Sequence, residues 1–400
     1  MLKQYIKETF PKTIRENKND DGTLIGLPYP YTVPCVDGAF QEMYYWDTYF
    51  TNKGLILLGE VNQAKNNVDN MLYLVERFGF MLNGNRTHFL RNSQPPFLSL
   101  MVRDVYEITS DKAWLKCAVK TLEKEYDFWA NKRITKTGLN RYSFESLGAE
   151  FDNYADALRQ RLGFEAPIDT VVNKAEHFMV NAESGWDCTP RFLFKGFYYN
   201  PVDLNCLLYA FEKNMQFFNK EIEGDFETWQ SRAENRKSKI DKLMLSNDNL
   251  YLDYDFEDRK LSPVFSAASF FPMFVGLCDD KAAKAARDNL YRIETEFGIA
   301  ATEKFTLAGN YQWAYPNGWA PLHFITVKAL LNYGYIEDAK RIALKYTKMV
   351  EENFKKTGNL WEKYNVADGS INATNEYEMP PMLGWTAGVY LACKEILASL

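Results

Sequence analysis

Four hundred residues with 46% hydrophobic and 25% charged side chains describe a globular chain able to bury a large core, and they exclude an intrinsically disordered one. A net charge of −6 argues against a nucleic-acid partner, which needs a basic surface, and no apolar run of the ~18 residues required to span a membrane is present. The opening segment, Met1 to Phe10, mixes acid and base without an apolar run of signal length, so the expectation is a cytosolic protein.

The six cysteines, Cys35, Cys117, Cys188, Cys206, Cys278 and Cys393, are far apart and form no Cys-x-x-Cys pair. They are expected to be free and mostly buried. His88, His177 and His323 are equally scattered, which leaves no basis for a metal centre or a Ser-His-Asp triad, and no cofactor is expected.

Along the chain, apolar residues recur at helical spacing. Residues 47–78 read as one long helix or two in succession, with Leu55, Leu58, Val61, Val68, Leu72 and Val75 on one side. The pattern continues over 93–108, 112–131, 203–219, 226–245, 263–277, 281–292, 319–333, 336–354 and 385–400, with Gly, Asn and Pro in the short connections. About a dozen helices paired as hairpins, with almost no strand signal, predict an all-α fold. No fixed repeat is present, so a closed toroid is favoured over a solenoid. A single domain over 1–400 is expected, with residues 1–30 as an N-terminal extension packed on it.

The residues suited to chemistry lie in the loops 33–47, 83–96, 183–191, 310–321 and 360–385, where Trp, Asp, Glu and Asn occur together. Such loops are expected to converge at one end of a barrel. Glycoside hydrolysis needs two carboxyl groups, one protonated to assist the leaving oxygen and one ionised to activate water or attack directly. Asp187, beside Gly185 and Trp186, suits the acid, because an apolar wall keeps a carboxyl protonated, although an N-cap role explains it equally well. Glu362, followed by Lys363 and Tyr364, suits the base, against the simpler reading of a helix-end Glu paired with Lys. Asp47 after Trp46 is explained most cheaply as a helix cap, yet Asp beside an indole can also grip sugar hydroxyls.

These loops carry a resemblance. The stretch from Phe40 to Phe50 resembles the first signature of the trehalase family, and Asn83-Gly84-Asn85-Arg86 with Ser93-Gln94-Pro95-Pro96 is similar to the family's next loop. Glu183-Ser184-Gly185-Trp186-Asp187 resembles the acid loop, followed by Pro201 to Asn205, and Gln312 to Pro321 is similar to the second signature. Trp361-Glu362-Lys363-Tyr364-Asn365, then Glu376-Tyr377 and Gly384-Trp385-Thr386, complete the set in family order.

The resemblance implies an (α/α)6 barrel and an inverting hydrolase acting on an α-glucoside, with Asp187 as general acid and Glu362 as general base. It further implies that Phe40, Tyr44, Trp46, Asp47, Asn83, Asn92, Gln94, Gly185, Trp186, Trp313, Asn317, Glu376 and Trp385 surround the sugar. The pattern also departs from the family. Ala39 and Asn92 stand where the family carries Arg, Ser143-Phe144-Glu145-Ser146 is all that aligns with an Arg-Pro-Glu-Ser stretch, and Ala314 replaces an Asp. Arg-to-small exchanges remove planar multi-donor recognition, so the acid, base and inner-sugar residues read as retained and the leaving-group subsite as rewritten, with Arg86, Arg91 and Arg141 as the candidate substitutes. The rival readings are an α-glucosidase or glycerate-glycoside hydrolase of the related barrel family, a non-catalytic sugar-binding protein, and an all-α scaffold.

Overall fold

A computed structural model describes residues 1–144, 177, 179–307, 309–374 and 377–400. An inner ring is formed by α2 (Tyr45–Leu57), α4 (Leu98–Thr109), α6 (Val202–Glu221), α8 (Phe271–Phe274, continuing a 3-10 turn at Ala267–Phe270), α10 (Ala320–Asn332) and α12 (Gly384–Ser399). Each of these packs on the next, and α12 packs back on α2, so the ring closes. Outside it lie α1 (Leu2–Thr9), α3 (Val61–Phe78), α5 (Lys112–Lys132), α7 (Phe226–Met244), α9 (Asp280–Asp288) and α11 (Ile336–Thr357). This is the (α/α)6 barrel that the sequence implied.

Layer follows composition. The inner helices α2, α10 and α12 are buried on nearly every side, whereas α3 and α11 bury one stripe and leave Lys, Glu and Asn on the other. Asp111, Asp225 and Asp279 start α5, α7 and α9 by accepting hydrogen bonds from Trp114 N (2.9 Å), Thr228 N (3.1 Å) and Ala282 N (2.8 Å). Gly79 and Gly358 end α3 and α11 with φ of 84° and 73°, a left-handed conformation suited to glycine.

The 47–78 pattern forms two helices in succession, one of its two expected readings, and two other expected helices differ. The 47–78 pattern breaks into α2 and α3 at Gly59, where φ is 85°. The helix expected from residue 93 begins only at Leu98, because Pro95 and Pro96 hold the preceding chain extended. Over 263–277 the chain forms only the 3-10 turn and single α-turn of α8, interrupted by Pro272 and ended near Gly276 at φ 67°.

Short strands staple the loops at the barrel mouth. The pair nearest the candidate base is antiparallel, β1 (Asn317–Trp319) with β2 (Lys363–Asn365), in the register Asn317↔Asn365, Gly318↔Tyr364 and Trp319↔Lys363. Five of the free cysteines are buried and Cys117 is exposed.

Ring closure depends on glycine. A Cβ on Gly388 of α12 would lie 2.0 Å from the carbonyl oxygen of Phe50 in α2, and one on Gly54 would lie 2.7 Å from Gly388 Cα. Backbone cannot yield as a flexible side chain can. Gly388→Ala is therefore expected to cost about 3 kcal/mol of stability, seen as a lowered Tm in thermal unfolding. A wild-type Tm would contradict this closure.

Candidate active site

The inner helices α2, α4, α6, α10 and α12 begin at Tyr45, Leu98, Val202, Ala320 and Gly384, and the candidate residues occupy the loops just before these starts or the first turns. The acid loop follows a helical stretch ending at Ser184. Gly185 then turns left-handed at φ 72°, and the space its missing Cβ leaves is filled by the indole of Trp46, which a Cβ would meet at 2.8 Å. Asp187 emerges exposed on the next turn.

Glu183 holds this loop in place. Fully buried, its carboxylate receives a forked pair from Arg133 (both 2.9 Å) and the backbone N–H groups of Ser93 (2.9 Å) and Ser143 (2.6 Å). Arg133 also donates to the Arg91 carbonyl at 3.3 Å. Asn83 ties the same region together by donating to the carbonyls of Ser93 (3.1 Å) and Ala182 (3.2 Å), and its own N–H donates to Asn92 O at 3.0 Å. Gln94 accepts from Trp46 N at 3.2 Å. Three separate loops are thus locked around one carboxylate.

Glu362 is 2% exposed. Lys363 Nζ donates to Oε2 at 2.6 Å, the Tyr377 hydroxyl donates to Oε1 at 2.5 Å, and Trp385 Nε1 donates to the Glu362 carbonyl at 3.0 Å. Tyr364, expected to help, does not reach the carboxylate, since its hydroxyl accepts from Trp361 N at 3.2 Å. Strand alternation sends Lys363 and Tyr364 to opposite faces.

Asp47, in the first turn of α2, is buried, and its carboxyl is pushed up to about 8, first by desolvation and further by the Glu362 and Asp187 carboxylates. Cys35 responds in the same way. Burial, then the charges of Glu362 and Asp47, push its thiol up to about 12. Both groups therefore report that carboxylates distant in sequence share one neighbourhood. Next to Tyr377, Phe40 sits edge-on between Tyr44 and Tyr377 (both 5.8 Å between centroids), and Tyr44 donates to Glu42 at 3.1 Å.

Several sequence expectations are corrected. Trp186 is not a wall for Asp187, because its ring is fully buried against Trp313 (5.4 Å, 28°) with the Arg191 guanidinium on it at 4.3 Å. Trp313 offers no open face to a sugar either, since Trp319 stacks on it at 3.8 Å and 3°. Asn317 spends its amide on the chain, donating to Gln312 O (2.9 Å) and Thr374 O (2.8 Å) and accepting from Thr374 N (3.1 Å). Trp46 and Trp385 stand edge to face at 6.0 Å beside this stack. Glu376, with Glu145 and Ser146, lies outside the described residues. Of the substitutes proposed for the absent arginines, Arg86 is bound to Glu42 (2.6 Å) and Thr23 (2.8 Å), and Arg141 donates to Phe197 O (2.8 Å). His323 is a satisfied core histidine, accepting from Ile299 N (2.9 Å) and lying 2.8 Å from Trp319 O, and burial lowers its ring to about 4.

Sequence reasoning did not single out Glu183, Arg133, Arg191, Trp319 or Tyr377. Glu183 and Tyr377 lay inside quoted motifs, but nothing in the sequence separates a buried positioning carboxylate from a sugar ligand.

Glu183→Gln leaves Arg133 buried without its counter-charge and should lower stability by about 3 kcal/mol, measured as a Tm drop. Two carboxyls, Asp47 and Glu125, are each pushed up to about 8 chiefly by burial, so the folded chain holds protons there that the unfolded chain releases above the ordinary carboxyl range. Their contribution is complete below about pH 4 and is lost as pH rises toward 8. Tm should fall over that interval, and the fall should be shallower in Glu125→Gln; equal slopes would refute it.

The trehalase family model matches residues 1–397. Periplasmic trehalase of Xanthomonas campestris pv. campestris is 32% identical over 98% of this chain and 72% of its own, and that of Pseudomonas aeruginosa is 31% identical over 98% and 75%. Among solved structures, neutral trehalase Nth1 from Saccharomyces cerevisiae superposes with a TM-score of 0.78 at 26% identity, covering 98% of this chain and 80% of that one. Mannosylglycerate hydrolase from Thermus thermophilus shares the fold alone, at TM-score 0.69 and 14% identity over 98% and 99%. The periplasmic relatives overturn the expectation of a cytosolic protein drawn from the first residues and the lack of a long apolar run. With the family model covering nearly all of its length and the relatives agreeing, this chain belongs to the trehalase family of glycoside hydrolases.

Proposed function

We propose that this chain hydrolyses α,α-trehalose with inversion at one anomeric carbon, as a single catalytic unit, with Asp187 as general acid and Glu362 as general base. Glu362 takes a proton from a water molecule as that water attacks C1 from the face opposite the leaving glucose. Asp187 donates its proton to the departing glycosidic oxygen. The products are one glucose of inverted and one of retained configuration.

The observation that supports this reading is the response of Asp47 to both carboxylates, since 187 and 362 are far apart in the chain yet both raise the proton affinity of the same group. Asp187 needs a proton at the start of each cycle. Bound sugar excludes water from it and the neighbouring carboxylates disfavour another negative charge, an environment that suits an acid without the help first assigned to Trp186. Asp47, with Trp46 beside it, is assigned to the hydroxyls of the reacting glucose.

Glu362→Gln and Asp187→Asn should each lower kcat on trehalose by roughly 10³-fold or more. Proton NMR of the first turnovers should show α- and β-glucose in equal amounts. Release of α-glucose alone would mean retention and refute the inverting assignment. Faster turnover of glucosylglycerate or mannosylglycerate than of trehalose would instead favour the rewritten leaving-group subsite suggested by Ala39, Asn92 and Ala314.

A further inference from the structure

Lys363 is a tightly confined cation beside the candidate base. It is fully buried, its ammonium lies 4.8 Å from the Trp319 ring and 5.1 Å from the Tyr377 ring, and it donates to Glu362 Oε2 at 2.6 Å. Its backbone is fixed too, because Lys363 in β2 is the cross-strand partner of Trp319 in β1. Trp319 in turn begins a column, Trp319 on Trp313 on Trp186 on Arg191, that ends beside the acid loop. A cation at each end of a stack of indoles is held by the negative faces of the rings.

Tyr377 completes the enclosure from the other side. Its hydroxyl donates to Glu362 Oε1 at 2.5 Å, and its ring, partly exposed and set against Phe40, lies over the ammonium. We infer that Lys363 and Tyr377 are positioning residues for the reaction, a clamp that takes one donor to each oxygen of Glu362 and fixes the direction in which the carboxylate addresses its water. The inference rests on the reading of Glu362 as the base.

The burial of Lys363 lowers its proton affinity and the Glu362 charge works against that loss, so the ammonium and carboxylate need each other. Each carboxylate oxygen retains a second lone pair after accepting one bond, so a clamped Glu362 can still take a proton from water. A base held in this way should lose rate rather than affinity when the clamp is opened, because its orientation matters only as the water attacks.

The test compares kcat and KM on trehalose for Tyr377→Phe, Lys363→Met and Glu362→Gln, with Tm and circular dichroism recorded for each. Tyr377→Phe removes a single oxygen and should lower kcat about 30-fold while KM stays within about 2-fold. Lys363→Met should lower kcat further. If Lys363→Met does not fold, Tyr377→Phe decides alone. Wild-type kcat in Tyr377→Phe, or a raised KM with kcat unaltered, overturns the clamp while Glu362→Gln remains inactive. Activity retained by Glu362→Gln removes the base assignment itself, a distinct failure.

Discussion

Everything at the mouth of this barrel is constrained by the need to gather carboxylates in a nearly dry place. Asp47 and Glu362 are buried and Asp187 faces the same neighbourhood, so each charge raises the cost of the next. Desolvation alone would neutralise such groups. The structure treats them differently: Glu362 is given a cation and a hydroxyl, whereas Asp47 is given neither and holds its proton up to about 8. Two buried carboxyl groups thereby meet their surroundings in different ways, Asp47 by holding a proton and Glu362 by accepting from a cation and a hydroxyl.

The same logic explains why so much of the polar interior touches no substrate position. Glu183 with Arg133, and Arg191 with Asp203 and Asp253, are buried ion pairs supplied with further backbone donors. Buried pairs of this kind add little to stability over an apolar core. What they add here is register: Glu183 alone joins the loops carrying Ser93, Ser143 and Gly185. The indole column does the corresponding work between the loops of Asp187 and Glu362, using close-packed rings where a flexible side chain would leave slack.

Much of this was legible in the sequence and some was not. Helical periodicity predicted the all-α class and the family resemblance implied the six-fold ring, whose inner and outer helices differ in how many sides are apolar, as α10 and α11 show. It failed over 263–277, where proline overrides composition. Loop composition located the site but misjudged its tryptophans. Trp186, adjacent to a candidate acid, and Trp313, inside a quoted motif, have the apolar character of sugar platforms, yet they cover each other from distant parts of the chain and Trp319 closes the remaining face of Trp313. Asn317 misled for a similar reason, since an amide that pins Thr374 looks the same in sequence as one that binds a hydroxyl. Tyr364 could have been read correctly, because alternation about Lys363 points it away from the carboxylate.

The division of labour between ring and loops accounts for the pattern of resemblance. A barrel superposing at a TM-score of 0.69 needs only 14% identity, because ring closure asks for apolar helices and a few glycines such as Gly54 and Gly388. The chemistry asks for more. It depends on residues at the amino ends of the inner helices, where the aligned peptide dipoles present partial positive charge. Asp47, in the first turn of α2, sits in that field, and the backbone carbonyl of Glu362 is tied to the start of α12 by the indole N–H of Trp385. The orientation of the ring is thus part of the electrostatics of the site, most directly for Asp47, which lies at the amino end of an inner helix.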